Sequence, residues 1–249
     1  MILMIDSGNS RLKWALADRR QHLTGSNWLA QGVVDNTRLA QLAPMWAALP
    51  CPEQVVVSHV AGPHQEAAIR AALAVHPVAI TWLQAQPACA GLINDYEQPQ
   101  MLGTDRWAAA IGAWQRLHGA AIVVSAGTAT TIDLIDAQGH FTGGLIMPGL
   151  AMMGRALQRG TAGLAVPSGT LRLWPRNTAD AIETGCLFAQ IGAIERVRRL
   201  ASAGSVLILT GGAADALTPL LAAPVLPAPQ LVLEGLFTVG QAELARQTG

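Results

Sequence analysis

The same pattern of apolar and polar residues occurs at the start of each half of the chain. An apolar run leads into the polar turn at residues 6–10, DSGNS, and 119 residues later a second run leads into SAGT at residues 125–128. Beyond each turn, apolar side chains alternate with polar ones, which is typical of a strand that returns as one arm of a hairpin. The sequence therefore predicts a duplicated strand–turn–strand unit.

Helical and strand patterns alternate through the rest of both halves. We predict helices over residues 36–49, 64–75, 104–118, 150–159, 178–201, 213–221 and 230–247. We predict further strands over residues 54–59, 77–83, 140–147 and 206–210. This alternation predicts an α/β fold of two lobes, residues 1–118 and 119–249, each with a mixed sheet and with an active cleft between them.

Composition excludes several classes of protein. Of the 249 residues 51% are hydrophobic and 13% are charged, about half the usual share of ~25% charged residues. Such a chain can bury a large core, which excludes intrinsic disorder. Its net charge of zero argues against a dedicated nucleic-acid binder and favours an oligomer interface for part of the apolar surplus.

The positions of cysteine and proline exclude further classes of protein. Cys51, Cys89 and Cys186 are odd in number and far apart, so neither a disulfide framework nor a cysteine zinc site is indicated. The long uncharged stretch at residues 216–233 contains four prolines, which disfavour a membrane helix. We expect a soluble cytoplasmic protein that binds neither membrane nor nucleic acid.

Two glycine turns carry the chemistry of phosphate binding. Lys13 is the only lysine, so a P-loop with its Gly-Lys-Ser/Thr sequence is absent. The turn at residues 6–10 instead offers backbone amides for phosphate oxygens and Asp6 for Mg²⁺ or its waters, although the same residues also make an ordinary hairpin turn. Thr128 lies in the matching turn of the second half. Two matched turns favour phosphoryl transfer.

A third segment supplies a candidate general base. Gly103-Thr104-Asp105-Arg106 opens a predicted helix, where amides at the N-terminus attract anions. Asp105 can accept a proton from a substrate hydroxyl while Arg106 grips an anion. The alternative is that Asp105 only stabilises the helix N-terminus. A further glycine turn at residues 210–213 suits an adenosine moiety.

Six segments in series resemble type III pantothenate kinase: DSGNSRLKW, YEQPQMLGTDRWAA, SAGTATTID, GGLIMPG, NTADAIETG and LTGGAA. The resemblance implies a duplicated actin-like, ribonuclease H-like fold, ATP-dependent phosphorylation of pantothenate in coenzyme A biosynthesis, and a homodimer. It implies that ATP is bound by Asp6, Ser7, Gly8, Asn9, Ser10, Arg11, Leu12, Lys13 and Thr128. It implies that pantothenate is bound by Tyr96, Gly103, Thr104, Asp105, Arg106 and Thr178, with Asp105 as proton acceptor.

One residue departs from the pattern of this family. Members use a divalent cation, here expected as Mg²⁺ near Asp6, and usually K⁺ or NH₄⁺. The acid that commonly holds the monovalent cation is Ser125 in this chain, so that site is weakened, altered or absent. Two alternatives stay open: a kinase for another small alcohol, and a non-catalytic accessory regulator like the Bvg accessory factor.

Overall fold

The computed structural model describes residues 1–21, 27–160 and 169–248. The strands in chain order are β1 (Ile2–Ser7), β2 (Arg11–Ala17), β3 (Ala30–Asp35), β4 (Gln54–His59), β5 (Ile80–Trp82), β6 (Ala88–Cys89), β7 (Leu92–Asn94), β8 (Ala121–Ala126), β9 (Ala129–Ile135), β10 (His140–Pro148), β11 (Val206–Thr210) and β12 (Leu226–Pro227). The helices are α1 (Leu42–Ala47), α2 (Pro63–Leu73), α3 (Thr104–Leu117), α4 (Leu150–Gly160), α5 (Thr178–Leu200), α6 (Ala214–Leu217) and α7 (Leu231–Thr248). Short 3₁₀ helices cover Asn36–Gln41, Pro99–Met101 and Thr218–Leu220.

The chain divides into two compact units. Unit 1 comprises Met1–Gly119, Ala137–Thr142 and Gln230–Gly249, and unit 2 comprises Ala120–Asp136 and Gly143–Pro229. The unit border near Gly119 lies beside the predicted boundary of the halves, but the units are not contiguous stretches of chain. The division into residues 1–118 and 119–249 stays a prediction about the duplicated halves.

The same arrangement of five strands occurs in both sheets. The first sheet has the order β3-β2-β1-β4-β5. The second sheet has seven strands in the order β12-β11-β8-β9-β10-β7-β6, and its run β10-β9-β8-β11-β12 matches the first sheet. In each sheet, the first strand of the half (β1 or β8) pairs antiparallel with the strand after the glycine turn (β2 or β9). On its other side it pairs parallel with β4 or β11. The structure thus confirms an α/β fold with mixed sheets and both predicted hairpins.

Unit 1 buries apolar side chains on both faces of its sheet. Leu3, Ile5 and Trp14 pack on one face in a cluster that includes Trp46 from α1. Residues on the opposite face of β1 and β4 meet α7, because a side chain at Gly240 would touch Ile2 and Val56. Helix α7 on this face also packs against α3 and so holds that helix in position.

Most predicted elements are confirmed, and the exceptions have local causes. The predicted helix at residues 36–49 is a 3₁₀ helix followed by α1, with a break in helical geometry at Arg38. The helix predicted at residues 213–221 shortens to α6 and a 3₁₀ helix with Pro219 near its start, because proline lacks an amide donor. The predicted strand at residues 77–83 is confined to β5. Strands β3, β6, β7 and β12 were not predicted, since none carries a clear alternating pattern.

Candidate active site

The first part of the site lies at the carboxyl end of β1. Asp6 is paired in register with Lys13 on β2 and with Ser58 on β4. Although part of Asp6 remains accessible, protein atoms surround its carboxyl group. This burial raises the pKa of Asp6 to about 7, an effect that Lys13 opposes and the charge of Asp105 reinforces. A buried carboxyl next to a second acid is a place where a bound cation lowers the free energy.

The glycine turn after β1 is stabilised by hydrogen bonds within the turn and from Asn36. The amide of Gly8 donates to the carbonyl of Arg11 (3.2 Å), which closes the turn. Asn36 supports it twice, since its side chain donates to the carbonyl of Gly8 (2.9 Å) and its amide donates to that of Ser10 (3.2 Å). Asn36 has no motif in the sequence that would have identified it.

Not every side chain of the predicted nucleotide segment faces outward. Asn9, Ser10 and Arg11 are exposed, whereas the side chains of Ser7 and Leu12 are fully buried. Leu12 belongs to the apolar core of unit 1. Any contact of Ser7 or Leu12 with a nucleotide would therefore involve the backbone.

The start of α3 carries the candidate base. The carboxylate of Asp105 accepts from the amide of Arg106 (2.9 Å) and folds back over Gly103, where an added Cβ would lie only 2.8 Å from Oδ1. The guanidinium of Arg106 is buried and donates to the hydroxyl of Tyr96 (3.3 Å). Its centre lies 5.7 Å from the ring centres of both Tyr96 and Phe141. Predicted site residues Tyr96, Gly103, Asp105 and Arg106 are thus brought together.

Thr104 makes contacts that the sequence did not reveal. Its hydroxyl lies 3.0 Å from Ser58 Oγ, accepts from the amide of His59 (3.2 Å), and lies 3.4 Å from the carbonyl of His59. Ser58 is fully buried. The first residue of α3 is therefore fastened to the end of β4, next to Asp6.

In unit 2, three glycine-containing loops converge at the end of β8. The amide of Gly149 donates to the carbonyl of Thr128 (3.0 Å), and that of Ala213 donates to the carbonyl of Ala126 (3.0 Å). Gly211 has φ +99° and approaches Ala126 so closely that a Cβ would lie 2.3 Å from its carbonyl oxygen. The predicted turns at Thr128 and at residues 210–213 are therefore neighbours.

Ser125 occupies the position in β8 that Asp6 occupies in β1. Its partners in register are Thr131 on β9 and Thr210 on β11, so its near neighbours on that face of the sheet are hydroxyl groups. Thr131 also donates to the buried carboxylate of Asp133 (3.2 Å). No group of three or more acidic, histidine or cysteine side chains suited to a metal occurs in residues 1–21, 27–160 and 169–248.

Thr178 lies at the start of α5, beside a groove between α4 and α5. The groove has a volume of about 520 Å³, and most of its lining is apolar, including Pro148, Met153, Ile182 and Cys186. Asn177 caps α5 by accepting from the amide of Asp180 (2.9 Å). Thr178 itself is exposed.

The fold of this chain is similar to that of proteins with solved structures. The structure resembles a protein from Campylobacter jejuni described as a transcriptional activator of the Baf family, with a TM-score of 0.63, 20% identity and coverage of 98% of this chain and 99% of that one. It also resembles the activator of 2-hydroxyisocaproyl-CoA dehydratase from Clostridium difficile, with a TM-score of 0.56, 10% identity and coverage of 99% and 96%. At these identities the likeness concerns the fold alone.

The sequence of the chain is similar to that of one protein family along most of its length. The model of the type III pantothenate kinase family matches residues 2–199. A type III pantothenate kinase from Azoarcus sp. is 43% identical over 248 residues, 98% of this chain and 92% of the relative. One from Aromatoleum aromaticum is 44% identical over 247 residues, 98% of this chain and 100% of the relative. The chain belongs to the type III pantothenate kinase family.

Proposed function

We propose that this protein transfers the γ-phosphoryl group of ATP to the primary hydroxyl of pantothenate. The products are 4′-phosphopantothenate and ADP, and the reaction is the first step of coenzyme A biosynthesis. Besides family membership, the observation that supports the proposal is the pair of carboxylates at one end of the unit 1 sheet. Asp105 lies near enough to Asp6 for its charge to raise the pKa of that group.

The two carboxylates have different roles in this proposal. Asp105 accepts the proton of the substrate hydroxyl while the hydroxyl oxygen attacks the γ-phosphorus, and the bond from that phosphorus to the bridging oxygen of ADP breaks. Phosphoryl transfer needs mainly positioning and charge neutralisation, so a single base suffices. Arg106, buried against Tyr96, supplies a fixed positive charge for the carboxylate of pantothenate.

The proposed nucleotide site comprises residues 6–13 and Thr128. Kinases of this kind use ATP with a divalent cation, and Mg²⁺ prefers carboxylate and water ligands beside substrate phosphates. Asp6 fits this preference because its carboxyl is desolvated and has a second acid nearby. Asp6 would hold Mg²⁺ through water ligands, and the ion would neutralise part of the phosphate charge.

We propose a homodimer with the dimer face on unit 2. Large apolar side chains are exposed there: Trp174 is 83% exposed, Leu173 68% and Phe188 47%. Thr184 of α5 bonds to both backbone groups of Arg172, so Leu173 and Trp174 follow a segment that is fixed beside the helix carrying Phe188. An apolar set of this kind favours a protein partner.

Two finer proposals concern the cation and the location. With Ser125 among hydroxyl neighbours, we propose that turnover depends only weakly on K⁺ or NH₄⁺, since a hydroxyl lacks the formal charge of the family's usual acid. None of the helices in the described parts of the chain is long and apolar enough to cross a membrane. We propose a cytoplasmic location, where ATP and pantothenate are available.

The test is phosphorylation of pantothenate by the purified protein with Mg-ATP, in K⁺, NH₄⁺ and Na⁺ buffers. We expect turnover in all three, with rates within about fivefold of one another. A panel of small alcohols separates the proposal from a kinase of other specificity. Absence of turnover with every alcohol, from folded protein, would contradict the proposal and favour the regulator.

A further inference from the structure

The hydroxyl of Thr104 has no hydrogen-bonding capacity left for a substrate. A hydroxyl offers one donor and two acceptor sites. Thr104 Oγ1 has three partners at the end of β4, namely Ser58 Oγ at 3.0 Å, the amide of His59 at 3.2 Å and the carbonyl of His59 at 3.4 Å. A hydrogen bond between Thr104 and pantothenate would therefore use the backbone of Thr104.

Ser58 connects this contact to the other carboxylate. It is the partner of Asp6 in the parallel pairing of β1 and β4, and register partners project to the same face of a sheet. Ser58 is fully buried, so it cannot reach a substrate. Asp6 is therefore linked to Asp105 in three steps. Asp6 pairs with Ser58 in the sheet, Ser58 contacts the hydroxyl of Thr104, and Thr104 precedes Asp105 in the chain.

We infer that the Ser58–Thr104 hydroxyl pair is a positioning device that fixes the separation of Asp6 and Asp105 in the reaction proposed above. The inference rests on that proposed function for its catalytic consequence. Neither residue touches the reacting atoms through its side chain. Both act by holding the start of α3 against β4, so that the base on α3 stays aligned with the phosphate-binding turn.

The first test replaces each hydroxyl separately. Thr104→Val keeps the shape of the side chain and removes its hydrogen bonds, while Thr104→Ser keeps the hydroxyl. Misplacement of a catalytic group by about 1 Å can lower a rate by about 100-fold. We expect Thr104→Val and Ser58→Ala to lower kcat about 10- to 100-fold with KM for pantothenate within about twofold, and Thr104→Ser to stay within about threefold of the wild type.

Coupling between the two positions distinguishes this role from general loss of stability. Because both residues serve one contact, the double variant should be no slower than the slower single variant. Ser205→Ala is the matched control, since it also removes a hydroxyl that donates to a backbone carbonyl, Ser202 O at 2.8 Å, but in a surface turn of unit 2. Melting curves identify any variant that is not folded at the assay temperature.

A second readout does not depend on turnover. Crystal structures of the wild type and the variants give the separation between the carboxyl carbons of Asp6 and Asp105. We expect this separation to change by about 1 Å in Thr104→Val and to stay the same in Ser205→Ala. A folded Thr104→Val variant with unchanged kcat and unchanged separation would overturn the inference, as would one that loses pantothenate affinity alone. If the wild type fails to phosphorylate pantothenate, the measured separation still decides the positioning role.

Discussion

An ionised carboxylate at Asp6 costs folding free energy when no cation accompanies it. Burial raises the pKa of this group to about 7, from 3.8 for the unperturbed side chain. The folded state therefore keeps the proton of Asp6 over a pH range in which the unfolded chain has released it. By linkage, the contribution of Asp6 to stability falls as pH rises from about 4 to about 7.

The variant Asp6→Asn should remove this dependence on pH. The full shift corresponds to about 4 kcal/mol at about 1.4 kcal/mol per pKa unit, and partial solvent access reduces the expected effect to about 2 kcal/mol. Urea unfolding at pH 4 and pH 8 measures the effect. From pH 4 to pH 8, the free energy of unfolding of the wild type should fall by about 2 kcal/mol more than that of Asp6→Asn. Parallel pH profiles for Asp6→Asn and the wild type would contradict the assignment.

Asp105 should matter for rate far more than for stability. A general base typically contributes a factor of about 10² to 10⁴, so Asp105→Asn should lower kcat by about 1,000-fold while the melting temperature stays within a few degrees. Steady-state assays with pantothenate and Mg-ATP measure the effect. Asp215→Asn, which removes an exposed carboxylate from the short helix α6, is the control. Near-normal turnover by Asp105→Asn would exclude it as the proton acceptor.

At the scale of elements, α3 is held in place by α7. The two helices approach so closely that a Cβ at Gly235 would lie 1.8 Å from the carbonyl oxygen of Ala108, and one at Gly112 would lie 2.5 Å from that of Leu231. A few residues along, Arg116 donates to both carboxylate oxygens of Glu234 at 2.5 Å. The helix that carries Asp105 is thus fixed at its start by β4 and along its length by α7.

Gly235→Ala should separate the two helices and destabilise the protein. Overpacking of a filled core costs about 1–3 kcal/mol, and here the obstacle is backbone, so we expect about 3 kcal/mol by urea unfolding. Gly192→Ala in α5 is the matched control, because nothing lies within 4 Å of its added methyl group. That control should be stabilised by about 0.5–1 kcal/mol, as alanine is the better helix former. Equal stability of the two variants would contradict this packing.

The elements that the sequence predicted are those with a strong local signal. Helix α3 and strands β4 and β11 follow from their apolar patterns, and Asp6 and Asp105 follow from motifs at their ends. The supports of the site lack such signals. Asn36 and Ser58 reach the site only through the pairing of distant strands, and the pairing of α3 with α7 joins residues more than 100 positions apart. Single-sequence patterns report local periodicity and carry no information on such partners.

At the scale of the whole molecule, the apolar surface of unit 2 and the zero net charge act together. A neutral protein has little electrostatic repulsion between copies, and Trp174 alone is 83% exposed. We expect the wild type to sediment as a dimer, and Trp174→Glu to weaken dimerisation at least about tenfold by placing a charge on the apolar surface. Val75→Glu, an exposed apolar position of unit 1, should leave the dimer unchanged. A monomeric wild type at micromolar concentration would refute this surface as the dimer face.

The position of α7 in the chain has a consequence for synthesis. Residues 230–249 are synthesised after all other parts of unit 1, the unit that contains the first strand, and α7 covers Ile2 and Val56. While the chain emerges from the ribosome, these side chains and the inner side of α3 have no partner. Unit 1 therefore reaches its final packing only after α7 has been synthesised, and only a chain that includes α7 can align Asp105 with the turn at Asp6.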